Sequence, residues 1–500
     1  MPRAISLCLL LASSVWVTVF AQSMRVPRIW DDAALAEWAT PVAGLNVRPS
    51  HYTAQEYYAL PADNLRTYPV YPPNKEPAGY WEWLQKQKPE PLVDLGRIRS
   101  DGDWIAAGER AFHDLGSVLV RTNDPTLIAQ ARNPAVFQGL RTLADGGVVG
   151  PRWVVTSEGV MLTVRACAAC HNDMRAENRL RDGLPAVRPG LPLSGAAGTL
   201  TRLQRAYEGD PVGVAFWREF SVPWAPDERI ERMKLMTLQE LREMNRRGEL
   251  GGAFSGGVFA RTNGSPFYPT KILDLFDLKY SRYMDATGSH RLNGPEDVAR
   301  YAALVTGNDR LDFGPHRMLT DAQRRVRFRY ADEVLYAIGK YLLSLDPPKN
   351  PNPAPPDVVA RGEQVFAREE CGACHAPPNY TTGKLTLAHG WAPPADHPNR
   401  ADIMMRSIGT DPRMALKTRK GTGFYKIPTL RGVWARRLLL HDGSLASLEE
   451  LFDRARLNPD YEPKGWNPPG ITRRPVPGHL FGLALSDEDQ AALLAFLRAL

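Results

Sequence analysis

The sequence predicts an all-α protein of two tandem domains related by duplication, and three observations carry that expectation. A five-residue pattern, C-x-x-C-H, occurs twice, as Cys167-Ala168-Ala169-Cys170-His171 and Cys371-Gly372-Ala373-Cys374-His375. Three further stretches recur in the same order around the two copies. Between the halves, Pro347 to Pro356 holds six prolines in ten residues, a stiff extended linker.

The spacing of the motif defines its chemistry. Two thiols one turn apart can each form a thioether to a porphyrin, and the adjacent histidine then sits below the iron as proximal ligand. A redox dithiol or a zinc site built from two CxxC halves are the competing readings. The two copies lie about 200 residues apart, each is followed at once by His, and together they use every cysteine except Cys8. Two covalently attached c-type haems, in two cytochrome c-type domains, are therefore expected.

The three echoes set the domain plan. Trp104 to Phe112 and Val358 to Phe366 have helical spacing of apolar positions, and both contain Gly-Glu-x-x-Phe. The second copy runs almost directly into its haem motif. The first is separated from its own by about 55 residues, read as a loop or subdomain. After each haem motif, Lys271-Ile272 leads to Gly288 and Lys426-Ile427 leads to Gly443, with Gly 17 positions after Lys in both. Ala331 to Leu345 and Ser486 to Leu500 then close the halves as amphipathic helices with acidic starts. The expected organisation is a leader over 1–21, an irregular arm over 22–99, a first domain with insertions over 100–346, the linker over 347–357 and a second domain over 358–500.

Residues 1–21 have the layout of a secretory leader. Arg3 supplies the charge, Ser6 to Phe20 is mostly apolar, and Val19-Phe20-Ala21 precedes a cut before Gln22. A short membrane anchor is the alternative, but the run falls below the roughly 20 apolar residues a span needs. A periplasmic or secreted protein with no disulfide and no span in the mature chain is expected. The arm is rich in Pro, Trp and Tyr and reads as a cover over the haem domains. Residues 172–268 have no counterpart in the second half. Their aromatics, including Trp217, Trp224, Phe254, Phe259, Phe267 and Tyr268, read mostly as core, with one or two near the haems. The net charge of +7, from 62 basic and 55 acidic residues, has no dense Lys/Arg block. It suits an acidic redox partner better than nucleic acid.

The duplication also separates the two sites. His441, in His441-Asp442-Gly443-Ser444, aligns with Ala286, and His479, in Gly478-His479-Leu480, aligns near Arg324. Both candidate sixth ligands of the second haem are thus missing around the first. The expectation is one closed haem on His375 and one open haem on His171. His479 is preferred over His441 as the sixth ligand, because a residue just before the last helix can fold back over the iron. Met404, Met405 and Met414 are further candidates. His290 and His316 lie nearest the open site in sequence but read as surface or supporting residues. His51, His113, His389 and His397 have no motif around them.

Lys426-Ile427-Pro428-Thr429-Leu430-Arg431-Gly432, His441-Asp442-Gly443-Ser444 and Leu448-Glu449-Glu450 resemble the K-x-P-T-L-R-N, H-D-G-S and L-E-E run of the bacterial diheme cytochrome c peroxidase superfamily. That superfamily also includes the methylamine-dehydrogenase-maturing diheme enzyme. Gly432 stands where Asn is usual, and the family's Met ligand would fall at Ala455, which cannot ligate. The wide motif spacing, Asn123-Asp124-Pro125, Arg152-Trp153-Val154 and Gly478-His479 are similar to a longer branch, the secreted diheme rubber oxygenases. That resemblance implies a bis-His C-terminal haem and an oxygen-binding N-terminal haem.

Together these readings lead to an exported diheme oxidoreductase. His171 marks the site where dioxygen or hydrogen peroxide is activated, and the His375–His479 haem handles electrons. A hydrophobic organic substrate such as an alkene or polyisoprene, and a small redox protein, are the expected partners. The alternatives are a diheme peroxidase and a purely electron-transferring cytochrome with both irons six-coordinate.

Overall fold

The computed structural model describes residues 26–133, 142–143, 145–168, 170–174, 180–183, 222–247, 258–259, 267–307, 309–318, 328–468 and 471–500. The expected leader, Trp217, Phe254 and Arg324 lie outside the described residues.

Five helices frame the two C-x-x-C-H motifs: α1 (Asp101–Asp114), α2 (Pro295–Val305), α3 (Asp332–Ser344), α4 (Pro356–Arg368) and α5 (Asp487–Ala499). Ser100 and Ser486 cap α1 and α5 by accepting from the amides of Asp103 and Asp489. Each half buries one crossed helix pair, α1 on α3 and α4 on α5. The glycine of each Gly-Glu-x-x-Phe echo is the crossing point. A Cβ on Gly108 would lie 2.0 Å from the Ala337 carbonyl oxygen, and one on Gly362 would lie 2.0 Å from the Ala492 carbonyl oxygen. The phenylalanines of the same echo meet the partner helix alike. Phe112 lies 5.7 Å from Tyr341 and Phe366 lies 5.3 Å from Phe496, both pairs at 57°. A large core spanning α1, α2, α3 and the arm surrounds the first pair, and a smaller one surrounds the second.

The all-α expectation is wrong. Seven sheets occur among the described residues. The largest is four-stranded and antiparallel, from β1 (Thr67–Pro69), β2 (Gly116–Thr122), β3 (Pro151–Thr156) and β4 (Gly159–Arg165), in the order β1-β3-β4-β2. Three of its strands lie in the segment between α1 and the first motif, read from the sequence as a loop or subdomain. The runs Trp153-Val154-Val155-Thr156 and Val160-Met161-Leu162-Thr163-Val164 are rich in β-branched Val and Thr and flank a tight turn, which favours a hairpin over a helix. The arm is only partly irregular. It supplies β1 and helices at Asp32–Trp38, Ala54–Tyr58 and Tyr80–Gln85. In the second half, β5 (Leu385–Leu387), β6 (Ile403–Ser407) and β7 (Phe424–Lys426) form a mixed sheet in the order β6-β5-β7.

The two halves join across a pseudo-twofold seam. The Lys271 amide donates to the His441 carbonyl at 2.9 Å, and the Lys426 amide donates to the Ala286 carbonyl at 2.8 Å. Lys271 and Lys426 hold equivalent places in the repeat read from the sequence, as do Ala286 and His441. Within each half, the Asp277 amide donates to Leu345 and the Gly432 amide to Leu500, both at 3.1 Å. Asp277 and Gly432 are equivalent and both left-handed, with φ of 55° and 68°.

Candidate functional site

Both C-x-x-C-H motifs fold as the same turn. The amides of Cys170 and His171 donate to the Cys167 carbonyl at 3.2 Å. Those of Cys374 and His375 donate to the Cys371 carbonyl at 3.3 and 2.9 Å. None of the four cysteines is in a disulfide. The first motif hangs from the end of α1, with the Ala166 amide on the Leu115 carbonyl at 2.9 Å and the Ala168 amide on the Phe112 carbonyl at 3.2 Å. The sheet steadies that end. Arg152 is buried and donates to Asp145 at 2.7 Å and Asp114 at 3.0 Å. Arg165 donates to the His113 carbonyl at 2.8 Å, which places His113 in a supporting role.

The two motif histidines are oriented alike. His171 Nδ1 lies 3.1 Å from the Leu273 carbonyl, and His375 Nδ1 lies 3.1 Å from the Pro428 carbonyl and 3.3 Å from that of Tyr380. Leu273 and Pro428 each follow a Lys-Ile pair and correspond in the repeat read from the sequence. An Nδ1–H bonded to a carbonyl fixes the tautomer with its lone pair on Nε2, as histidines on metals require. Burial holds both imidazoles at about 4, so both are neutral. Two thiols, one turn and a neutral imidazole with an oriented Nε2 fit a c-type haem at each motif.

The candidate sixth ligands differ in their surroundings. His479 is in the left-handed region with φ of 48°, and its Nδ1 is buried without a hydrogen-bond partner. Burial first and the nearby His375 second hold its imidazole at about 4. Its amide donates to the Ile408 carbonyl at 2.7 Å. A Cβ on the preceding Gly478 would lie 2.3 Å from the Thr410 amide nitrogen, so only glycine fits there. Arg456, fully buried, clamps the same loop from behind. It donates to the carbonyls of Leu451, Val476, Gly478 and His479, at 2.8 Å for Gly478 and 2.9 Å for His479. His441, by contrast, stacks on Tyr425 with ring centroids 4.3 Å apart, and its Nε2 lies 3.3 Å from the Tyr425 hydroxyl. Met414 is buried in a cluster with Tyr425 and Tyr268, Met404 is half-buried, and Met405 is exposed.

Around the first motif, Ala286 takes the place that His441 takes in the second half. Of the remaining histidines, His316 lies 5.5 Å from Trp224, His389 is exposed, and His397 is buried against Phe424. His290 and His51 meet each other in a separate buried cluster. Trp224 and Tyr268 are packing residues, as expected. Sequence reasoning missed Arg456, because Arg454-Ala455-Arg456-Leu457 reads as an ordinary solvated turn. It also missed the seam, where Arg436 is buried and donates to Asp274 at 3.2 Å beside Lys271 and Lys426. No helix among the described residues is long and apolar enough to cross a membrane.

No family model and no curated protein matches this chain. Among solved structures, it is similar to hydrazine synthase of Kuenenia stuttgartiensis, at 14% identity over 57% of this chain and 87% of that one, with a TM-score of 0.28. It is also similar to a MauG-like protein associated with microbial copper homeostasis, at 17% identity over 49% of this chain and 78% of that one, with a TM-score of 0.29. The diheme peroxidase BthA of Burkholderia thailandensis matches at 17% identity over 46% of this chain and 65% of that one, with a TM-score of 0.21. At these TM-scores the likeness is partial, and neither ligand nor reaction follows from it.

Proposed function

We propose that this chain is an exported diheme c-type oxidoreductase with one open and one closed haem. Cys167, Cys170 and His171 hold the first haem, and Cys371, Cys374 and His375 hold the second, with His479 as its sixth ligand. The observation that carries the reading is the inequality of two otherwise matching sites. His479 lies close enough to His375 to feel its charge and has an unpartnered ring nitrogen, whereas in the sequence repeat its counterpart falls near Arg324 and that of His441 is Ala286.

Bound haem supplies activation of dioxygen or peroxide at the open site and single-electron transfer at the closed one. The chain's own groups set the asymmetry. The Leu273 and Pro428 carbonyls accept from the Nδ1–H groups of His171 and His375, which would leave each Nε2 lone pair free to hold a haem iron. The Gly478–His479 loop, locked by Arg456, excludes exogenous ligands from the second site. The backbone bonds of Lys271 to His441 and of Lys426 to Ala286 tie the segments behind the two sites together. The substrate class is an alkene, as the rubber-oxygenase resemblance implies, with peroxide reduction at the expense of a reduced, acidic redox protein as the second reading.

Oxygen uptake by the purified protein with polyisoprene or a small alkene, without added peroxide, tests the first class. Peroxide turnover with a reduced cytochrome and no alkene oxidation would assign the second. Absence of ligand binding at either haem in any redox state would remove both.

A further inference from the structure

The seam between the halves carries its charge unevenly. Leu273 and Pro428, whose carbonyls accept from the two motif histidines, are followed by Asp274 and Thr429. Arg436 has Ser281 at the corresponding place of the first half. The repeat therefore puts the acid in the first half alone and the base in the second half alone. The two charges meet: Arg436 Nε lies 2.8 Å from Asp274 Oδ2, and Nη2 donates to Oδ1 at 3.2 Å. The side chains of Arg436 and Asp274 are 4% and 11% exposed, so water screens the pair little. Each charge is also fixed to the peptide that orients one histidine. Asp274 directly follows the carbonyl on His171, and Arg436 Nη1 donates at 2.6 Å to the Thr429 carbonyl, one residue beyond the carbonyl on His375.

We propose that the Asp274–Arg436 ion pair separates the potentials of the two haems, holding the one at His171 below the one at His375. The proposal rests on the diheme reading above. A carboxylate behind an imidazole makes it a more electron-rich ligand and stabilises the oxidised state of the iron it would hold, and a guanidinium does the reverse. Asp274 is ionised: burial alone would raise its carboxyl, but Arg436 and then Lys271 hold it below the ordinary range. Lys271 and Lys426 face the same carboxylate from the seam, and Lys271 Nζ is engaged by the Leu438 carbonyl at 3.0 Å. Behind the motif histidines, however, the two ends of the pair act separately. Besides burial and the carbonyl bonds, Asp274 is the group that favours positive charge on His171, and Arg436 is the group that opposes it on His375. Asp274 and Arg436 are thus positioning residues, each acting through the histidine in front of it.

The test is a spectroelectrochemical titration of the haem-loaded, full-length protein, with carbon monoxide marking the open haem and a pyridine haemochrome assay counting haems. The haem that binds carbon monoxide should have the lower midpoint potential. Asp274→Asn should raise that potential, and Arg436→Gln should lower the potential of the other haem. The double variant Asp274→Asn/Arg436→Gln leaves no unpaired buried charge and carries the test if a single variant fails to fold. It should narrow the gap by about 59 mV or more, a tenfold change in the one-electron equilibrium between the haems. Arg66→Gln, which breaks an exposed pair with Glu90, should move neither potential. A pair with a merely structural role would change stability and leave the gap as it is. An unchanged gap in the double variant with both haems bound, or a lower potential at the closed haem of the parent, would overturn the proposal alone. Fewer than two haems per chain would instead remove the diheme reading, and the proposal with it.

Discussion

Arg456 is a buried cation whose partners are all carbonyl oxygens. Three of those carbonyls belong to residues 476–479, so the guanidinium fixes the path of the loop that carries His479. Replacing it by Gln keeps some donors but loses the fork. Arg456→Gln is expected to lower unfolding stability by about 3 kcal/mol, read from urea titrations. It should also give the second haem a mixed spin-state absorption spectrum. His479→Ala should change that haem's spectrum completely, whereas His441→Ala should not, because His441 is engaged by Tyr425. A reversed result for these two variants would reassign the ligand. The candidate site was legible at this scale where chemistry fixes spacing, as in C-x-x-C-H and in a glycine–histidine pair before the final helix. Arg456 was not, since its burial depends on a carbonyl cage that exists only after folding.

At the scale of elements, the crossed helix pairs rest on single glycines. Gly362→Ala forces a methyl into the Ala492 carbonyl and should cost about 1–3 kcal/mol, measurable as a lower denaturation midpoint with an unchanged slope. The loop before α2 carries an acid-sensitive contact. Burial alone would raise the Asp285 carboxyl, but Lys420 and the Tyr301 hydroxyl bring it down to about 2 from the ordinary 3.8. A lowered carboxyl stabilises the fold above about pH 4, and that stabilisation disappears as pH falls through about 2. Asp285→Asn should therefore be destabilised relative to the parent at pH 6, with the gap closing between pH 4 and 2 in urea titrations. The helix pairs were readable because Gly-Glu-x-x-Phe and the amphipathic closing helices repeat with a 3.6-residue period. The hairpin of Pro151–Thr156 and Gly159–Arg165 carries a strand pattern that the helical reading passed over, and other strands, such as Thr67–Pro69 and Phe424–Lys426, are only three residues long. Strands that short carry no period of their own and are defined by partners distant in sequence.

At the scale of the molecule, the reciprocal bonds of Lys271 to His441 and of Lys426 to Ala286 make the halves one structure around a pseudo-twofold seam. Arg436 and Asp274 are paired inside it. Arg436→Ala leaves the Asp274 carboxylate buried without its main partner, and a loss of about 3–5 kcal/mol is expected. Calorimetry should show the loss in the unfolding of both halves together, whereas a shift confined to one half would separate them. The central claim is the inequality of the two haems, and the optical spectrum of the purified, haem-loaded protein tests it most directly. Oxidised and reduced samples should be compared with and without cyanide and carbon monoxide. One of the two haems per chain should bind exogenous ligand, and His171→Ala should remove that response. Binding at both haems, or at neither, would contradict the account.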